Sequence, residues 1–203
     1  MPEPTKNPEE AVWIRQARSG DDRAYGRLVE AFEGPVYNVC FRMLGDPQEA
    51  EDAAQETFLK AYRNLNQYDP NRKFVNWLLA IASNHCVDRL RRRRLTLIPF
   101  DELRLWDPPQ GEHGTPEPEL TQRELEADVK ELLGELGATD RAAIVLRYWH
   151  ELSYAEIAAA LRLTESAVKS RLHRARNQLA NAWSARQSSS EQVQRRADEA
   201  RTV

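Results

Sequence analysis

Two helix-starting signals lie close together in the stretch LSYAEIAAALRLTESAVKSRLHRARNQL, residues 152–179. Ser153 and Glu156 have the spacing of a capping box, in which each side chain satisfies a backbone N–H at the start of a helix. Thr164 is a second N-cap candidate, because its hydroxyl can accept from the first turn of a following helix. The stretch therefore predicts a helix over residues 154–161, a tight turn and a second helix.

The second helix has one apolar side and one polar side. The apolar side recurs at steps of four, three and four, so it is expected to pack against the first helix. Its residues are Val168, Leu172, Ala175 and Leu179. The outward side consists of Ser166, Lys169, Ser170, His173, Arg174 and Asn177. Most of these side chains donate hydrogen bonds, and base edges in the DNA major groove offer acceptors, so the helix-turn-helix frame favours a DNA-reading helix over a merely solvated one.

The net charge of −3 limits how the chain can bind nucleic acid. Binding has to come from local basic patches, because a chain with this charge cannot grip DNA with its whole surface. One patch is a run of arginines with no acid among them: Arg89, Arg91, Arg92, Arg93 and Arg94. The other sets four basic side chains against the acid Glu165: Lys169, Arg171, Arg174 and Arg176.

Helical spacing dominates the chain, and no sustained alternation of apolar and polar residues indicates a strand. We therefore expect an all-α protein with two small helical domains, over residues 1–95 and 121–183. Residues 96–120 are acidic and contain five of the eleven prolines, so they predict a flexible linker. Residues 184–203 are predicted to form a polar, frayed tail.

Four helices are expected in the N-terminal domain, over residues 10–18, 23–44, from Pro47, and over 74–93. Pro35 is predicted to bend or break the second helix, because it removes an internal hydrogen bond. The third helix begins with Asp46 as N-cap and should bury Ala50, Ala54, Phe58, Ala61 and Leu65. Its opposite face carries Asp52, Gln55, Glu56 and Leu59.

No apolar run approaches the roughly 18 residues of a membrane span, and the start, MPEPTKNPEE, lacks the pattern of a signal peptide. The chain is therefore predicted to be cytoplasmic, without membrane insertion. Cys40 and Cys86 are expected to be reduced core thiols. The four histidines have no metal-ligand spacing, so neither a metal nor another cofactor is predicted. They are His85, His113, His150 and His173.

Four segments, between about residues 12 and 180, carry a resemblance to a known family. They are AEDAAQETFLKAYRNL, FVNWLLAIASNHCVDRLRRRR, LRYWHELSYAEIAAAL and ESAVKSRLHRARNQL. The first two are similar to region 2, and the last two to region 4, of the extracytoplasmic-function (group 4) sigma factors of the sigma-70 family. The resemblance implies a promoter-specificity subunit that binds core RNA polymerase, recognises minus-35 and minus-10 elements and promotes DNA melting and initiation. It also implies a protein that is not itself an enzyme.

The resemblance implies a role for each surface of the chain. The surface expected to dock on a coiled coil of the largest polymerase subunit consists of Asp52, Gln55, Glu56 and Leu59. The minus-10 residues, in a base-capture loop over 64–73 and on the following helix, are Tyr68, Asn71, Asn84, Asp88, Arg91 and Arg92. The arginine run that includes Arg91 and Arg92 would serve the phosphate backbone, as would Arg171 and Arg176 at the minus-35 element. The base-edge residues at the minus-35 element are Lys169, Ser170, His173 and Arg174.

One position departs from the family pattern. Members commonly have glycine in the helix-helix turn where this chain has Arg162. A left-handed backbone there would cost a non-glycine residue about 1 kcal/mol or more. A different turn geometry is the alternative, so the motif predicts the helix pair better than its exact crossing angle.

The expected partners are core polymerase, double-stranded and melted promoter DNA, and an anti-sigma factor. Two other functions compete with this interpretation. A free-standing helix-turn-helix regulator would use the C-terminal unit alone, which leaves the N-terminal segments and the linker without a purpose. A helical hydrolase could combine Asp52, Glu56 or Asp88 with His85, but no phosphate-binding loop, nucleophile elbow or paired metal signature accompanies them.

Overall fold

The computed structural model describes residues 8–96 and 127–201, with side chains over 8–93 and 127–187. All regular secondary structure in these two segments is helical, so the predicted all-α class is confirmed. The expected linker over 96–120 lies outside the described residues, apart from Thr96, the last residue of a helix. Helices are numbered here in chain order.

The N-terminal domain contains four α-helices and one short 3-10 turn. They are α1 (Pro8–Arg18), α2 (Asp22–Leu44), α3 (Pro47–Arg63), the 3-10 turn Leu65–Gln67 and α4 (Phe74–Thr96). α2 packs against the other three helices and α4 lies against α3. The largest fully buried side chains at their meeting point are Leu28, Val36, Val39, Met43, Phe74, Leu78 and Leu79.

Local capping explains where these helices begin and end. The Asp21 carboxylate accepts from the backbone N–H groups of Arg23 and Ala24, at 2.9 and 3.2 Å, and so starts α2. α2 ends at Leu44 and is capped by Gly45, whose φ of 76° is a left-handed conformation that glycine adopts without steric cost. Asp46 accepts from the Glu49 N–H at 2.9 Å, which confirms it as the N-cap of α3.

The prediction that Pro35 would bend or break α2 is wrong as far as a break is concerned. The helix runs from Asp22 to Leu44 with Pro35 inside it. Leu28, before Pro35, and Val36, directly after it, are both buried in the core. Their packing keeps both halves helical and offsets the hydrogen bond that proline cannot make.

The C-terminal domain also has four helices within the described residues. They are α5 (127–135), α6 (Ala138–Tyr148), α7 (Tyr154–Leu161) and α8 (Glu165–Arg201). α8 packs on α6 and α7 through the buried residues Val168, Leu172 and Ala175, as the apolar stripe predicts. Leu179 continues this stripe and is half-buried.

The polar tail does not form the frayed end that its composition predicts, because α8 continues to Arg201. Arg186 lies between three carboxylates of α5 and makes ion pairs with Asp128 (3.9 Å), Glu131 (2.9 Å) and Glu135 (3.4 Å). Gln178 donates to the Glu135 carbonyl at 2.9 Å. The ion pairs of Arg186 hold the helix to its own domain beyond the predicted boundary at residue 183.

The two domains also touch each other, with α6 and α7 against α4 and α6 against α2. Arg141 of α6 donates to the Met43 carbonyl at 2.6 Å. Arg42 of α2 stacks its guanidinium over the ring of Trp149, 4.3 Å from the ring centroid. The joint is therefore made of hydrogen bonds and cation–π contact as well as apolar packing.

Candidate nucleic-acid interface

The second helix of the helix-turn-helix presents the polar face that the sequence predicts. The Ala167 N–H donates to the Thr164 hydroxyl at 3.2 Å, so Thr164 caps the start of α8. With the apolar stripe buried, the outward residues are all exposed: Ser166, Lys169, Ser170, His173, Arg174 and Asn177. The resulting surface is rich in donors and contains no carboxylate, which suits acceptor groups on base edges and phosphates.

The helix before it begins with a complete capping box. The Glu156 N–H donates to the Ser153 hydroxyl at 3.2 Å, and the Ser153 N–H donates to the Glu156 carboxylate at 2.8 Å. Burial would raise the pKa of Glu156, but the hydrogen bonds from Ser153, the nearby charge of Lys73 and the Asn76 amide lower it overall. Glu156 is therefore held ionised, which keeps the box closed at neutral pH.

The turn between the two helices passes through a left-handed residue. Arg162 has a φ of 55° and a ψ of 47°, and the Leu163 N–H donates to the Ala158 carbonyl at 2.9 Å. The chain thus adopts the geometry that glycine adopts most easily, in spite of the arginine, and not a different turn.

Two arginines predicted to contact phosphates have partners inside the domain. Arg171 is half-buried and donates to the Asp140 carboxylate of α6 at 2.7 Å. Its guanidinium therefore ties α8 to α6, and in this arrangement it is not presented to DNA as the sequence analysis expects. Arg176 is exposed and lies 3.4 Å from the Tyr148 hydroxyl, so it remains accessible.

The predicted base-capture loop keeps its tyrosine inside the fold. The Tyr68 side chain is only 4% exposed, and its ring packs edge-on against Phe74 and at a tilt against Trp77. Its hydroxyl donates to the Arg72 carbonyl at 2.5 Å. Tyr68 therefore supports the loop from below and offers no surface for a base, whereas Asn71 is exposed as expected.

The predicted minus-10 face of α4 is partly covered by the C-terminal domain. The Asn84 amide donates to the Ala80 carbonyl of its own helix and to the Ala160 carbonyl of α7, both at 2.7 Å. Two turns earlier, the Asn76 amide donates to the Glu156 carboxylate at 2.7 Å. Asp88, one turn beyond Asn84, is exposed. The face is thus partly in contact with α7 and partly open.

The arginine run divides between structural and exposed positions. Arg93 forms an ion pair with Glu49, and Arg89 lies 4.0 Å from the Asp52 carboxylate, so both connect α4 to α3. Arg91 is exposed and reaches the Thr139 hydroxyl at 3.2 Å. Arg92 is exposed as well, and the side chain of Arg94 lies outside the described part of the chain.

The outer face of α3 is open, as predicted. Asp52, Gln55 and Glu56 are exposed, and Leu59 beside them is 50% exposed. Next to this face, Lys60 donates to the His85 Nδ1 at 2.5 Å. Burial first, and then the Lys60 charge, lower the pKa of His85, so the imidazole is neutral at physiological pH. An apolar side chain framed by carboxylate and amide groups is suited to a basic amphipathic helix.

Two contacts that the sequence analysis misses hold parts of this interface in place. Arg18 of α1 donates to three backbone carbonyls in the base-capture loop. Asn76 joins α4 to α7, as described above. Both link residues more than 40 positions apart, and the only sequence signal for Arg18 is its place at the end of a helix. A periodicity argument cannot pair such residues.

Neither a membrane span nor a metal cluster is found in the part of the chain that the structure describes. No helix there is long and apolar enough to cross a bilayer. No group of three His, Cys, Asp or Glu side chains there is arranged to hold a metal ion.

Comparison with protein families gives a match for each domain. The family model for sigma-70 region 2 matches residues 28–96, and the model for sigma-70 region 4 matches residues 126–179. The chain is 35% identical over 172 residues to the ECF RNA polymerase sigma factor SigW of Bacillus subtilis, covering 82% of this chain and 92% of that protein. It is 33% identical over 172 residues to the RNA polymerase sigma-H factor of Pseudomonas aeruginosa, covering 80% and 88%.

Solved structures are similar over most of their length. A structure of CnrH in complex with the cytosolic domain of CnrY has a TM-score of 0.63 and 31% identity, and covers 88% of this chain and 99% of that one. The sigma factor RpoE of Bartonella quintana, in complex with the anti-sigma factor NepR, has a TM-score of 0.58 at 24% identity over 77% of this chain and 94% of that one, which supports the fold.

A helical domain of the region 2 type, followed by a helix-turn-helix of the region 4 type, defines a promoter-recognition sigma factor of the sigma-70 family. Together with the relatives, these matches show that the chain belongs to the extracytoplasmic-function sigma factors.

Proposed function

We propose that three exposed surfaces divide the work of this sigma factor. The outward face of α8 reads the minus-35 element, the loop before α4 together with α4 reads and melts the minus-10 element, and the outer face of α3 docks on core polymerase. The observation that carries the proposal is the α8 face, where the predicted base-reading side chains stand together in solvent on a capped helix-turn-helix.

At the minus-35 element, Lys169 and Arg174 supply the strongest base contacts, because lysine and arginine pair with the O6 and N7 acceptors of guanine. Ser170 and His173 lie between them on the same face, and their shorter side chains make further contacts. Arg176, still exposed beyond its contact with Tyr148, holds a phosphate and fixes the register of the helix on the duplex.

At the minus-10 element the solvent-exposed side chains are those of Asn71, Asp88, Arg91 and Arg92. Base capture needs a pocket that offsets the energy of unstacking, and the loop around Asn71 is the segment that offers polar groups for it. Tyr68 contributes by shaping this loop rather than by stacking on a base. Asn84 joins the contact surface once α7 has moved away from it.

On core polymerase, the partner of Asp52, Gln55, Glu56 and Leu59 is a coiled coil of the largest subunit with basic side chains. Leu59 supplies the apolar contact and the two carboxylates supply charge complementarity. Core polymerase carries out catalysis, and this chain acts as a binding subunit. Both work in the cytoplasm. An anti-sigma factor is a further expected partner, and the similar structure of RpoE is a complex with one, NepR.

The test is in-vitro transcription with purified core polymerase on a library of genomic fragments. The proposal expects specific starts that require the added chain and that share two sequence elements. A free-standing helix-turn-helix regulator would instead protect an operator from nuclease without polymerase. Failure of the chain to bind core polymerase would reject the proposal.

The α3 surface is tested in the same assay by charge reversal. Replacing Asp52 and Glu56 with lysine should weaken binding to core polymerase, since both side chains are exposed. The Asp52 change also removes the contact with Arg89 at 4.0 Å, so the melting temperature is measured beside the binding. Replacing Glu30 and Glu33, which are exposed on α2, makes the same charge change elsewhere and serves as the control.

A further inference from the structure

Arg18 is the last residue of α1 and lies outside the region matched by the sigma-70 region 2 family model. Its Nε donates to the Leu65 carbonyl at 3.2 Å. Its Nη2 donates to the Asn66 carbonyl at 2.8 Å and to the Tyr68 carbonyl at 2.9 Å. One side chain from the start of the chain therefore holds three backbone groups of the segment that enters the base-capture loop.

The side chains of Leu65 and Tyr68 are buried at the two ends of this segment, whereas those of Asn66 and Gln67 between them are exposed. The 3-10 turn Leu65–Gln67 has no side-chain cap, and a cavity of about 210 Å³ lies between α1 and the loop, beside Tyr68 and Pro70. At this point the hydrogen bonds of Arg18 therefore join α1 to the loop across a space that side-chain packing does not fill. Each carbonyl held by Arg18 accepts from a charged donor, and such hydrogen bonds are about twice as strong as neutral ones.

We propose that Arg18 is a positioning residue for minus-10 recognition: its guanidinium sets the path of residues 65–68 and so the place of the loop that captures a base. The inference rests on the function proposed for that loop. Arginine is required because a planar group with several N–H donors can serve three carbonyls at once, whereas a lysine ammonium is a single compact charge.

The consequence is a loss of selectivity more than a loss of binding. If Arg18 sets the geometry of the loop, its removal lets the loop accept several bases at the captured position. Binding to core polymerase and to the minus-35 element would be unchanged, because the α3 and α8 surfaces do not touch Arg18.

The experiment compares the wild-type chain with Arg18→Lys and Arg18→Ala in complex with core polymerase. Promoters found in the fragment library are made with each of the four bases at every minus-10 position, and the yield of open complex is measured by permanganate reactivity. We expect the preference for the favoured base to fall about tenfold in both variants, the size of one charged hydrogen bond. Arg27→Lys, an exposed change on α2, is the matched control.

The outcomes separate this inference from the function on which it rests. Absence of any specific start with the wild-type chain would reject the proposed function. Specific starts whose base preference is unchanged in Arg18→Lys and Arg18→Ala would overturn the role of Arg18. An equal loss at all four bases, accompanied by a lower melting temperature, would assign Arg18 to fold stability and also overturn it.

Discussion

The two helices proposed to face DNA differ in what surrounds them. The polar face of α8 is exposed from Ser166 to Asn177, whereas α4 has Asn76 and Asn84 in contact with α7. In the proposed function, the first helix can bind DNA as it stands, and the second can do so fully only after α7 leaves it. The difference shows that contacts between residues far apart in sequence can decide which helix face is accessible.

The largest expected effect concerns the open helix. Replacing Lys169 and Arg174 with alanine should abolish use of the minus-35 element, at about 1 to 3 kcal/mol for each lost base contact. The measurement is transcription from promoters with an intact or scrambled minus-35 element. Replacing Arg23 and Arg27, exposed on α2, is the control. An unchanged choice of promoters in the double variant would refute the assignment of the reading face.

A smaller effect separates the two kinds of arginine on α8. Arg171→Met should lower the free energy of unfolding by about 1 to 2 kcal/mol, between the values for exposed and buried ion pairs, because it breaks the contact with Asp140. Arg174→Met should leave stability unchanged and weaken DNA binding. Denaturant titration and salt-dependent DNA binding measure the two effects. The reverse pattern would make Arg171 the DNA contact.

The joint between α4 and α7 should depend on pH through Glu156. Its pKa is lowered from the ordinary value of 4.5, so its contribution to stability is present above pH 4.5 and is lost as pH falls through the folded-state pKa. Glu156→Gln should cost about 1 kcal/mol at neutral pH, as expected for a lost cap. Unfolding measured across pH should show the two proteins converging in acid. A constant difference would mean that the charge of Glu156 is irrelevant.

The smallest effect concerns the turn that sets the angle of the helix pair. Arg162→Gly should stabilise the C-terminal domain by about 0.5 to 1 kcal/mol, because glycine adopts the observed φ of 55° without the steric cost, less its greater freedom when unfolded. Thermal unfolding measures it, with Arg27→Gly as a control that should destabilise a helix interior. A destabilised Arg162→Gly would show that the arginine side chain contributes a contact of its own.

Local signals predict the parts of this fold that depend on neighbouring residues. Ser153 with Glu156, Thr164 and Asp46 all cap helices where the sequence analysis expects, because a cap needs only the next three residues. The exposure of the α8 face also follows from its periodicity, since burying one side of a helix determines the other. Pro35 shows the limit, because core packing on either side overrides its local preference.

The residues that the sequence analysis misplaces depend on partners in other elements of the fold. Tyr68 looks like a surface aromatic residue in a polar loop, but Phe74 and Trp77 enclose it. Asn84 meets α7 at Ala160, and Arg171 meets α6 at Asp140. No periodicity within one helix specifies these pairs, because each depends on how complete helices pack together.

The length of α8 has a practical consequence for measuring this protein. An uninterrupted helix from Glu165 to Arg201 spans about 55 Å at 1.5 Å per residue. A dye attached at the carboxyl end of this helix would therefore lie several nanometres from the residues proposed to face the groove. Its position would change whenever the helix tilts. A label at that end can therefore be used to measure when the protein binds and releases a promoter.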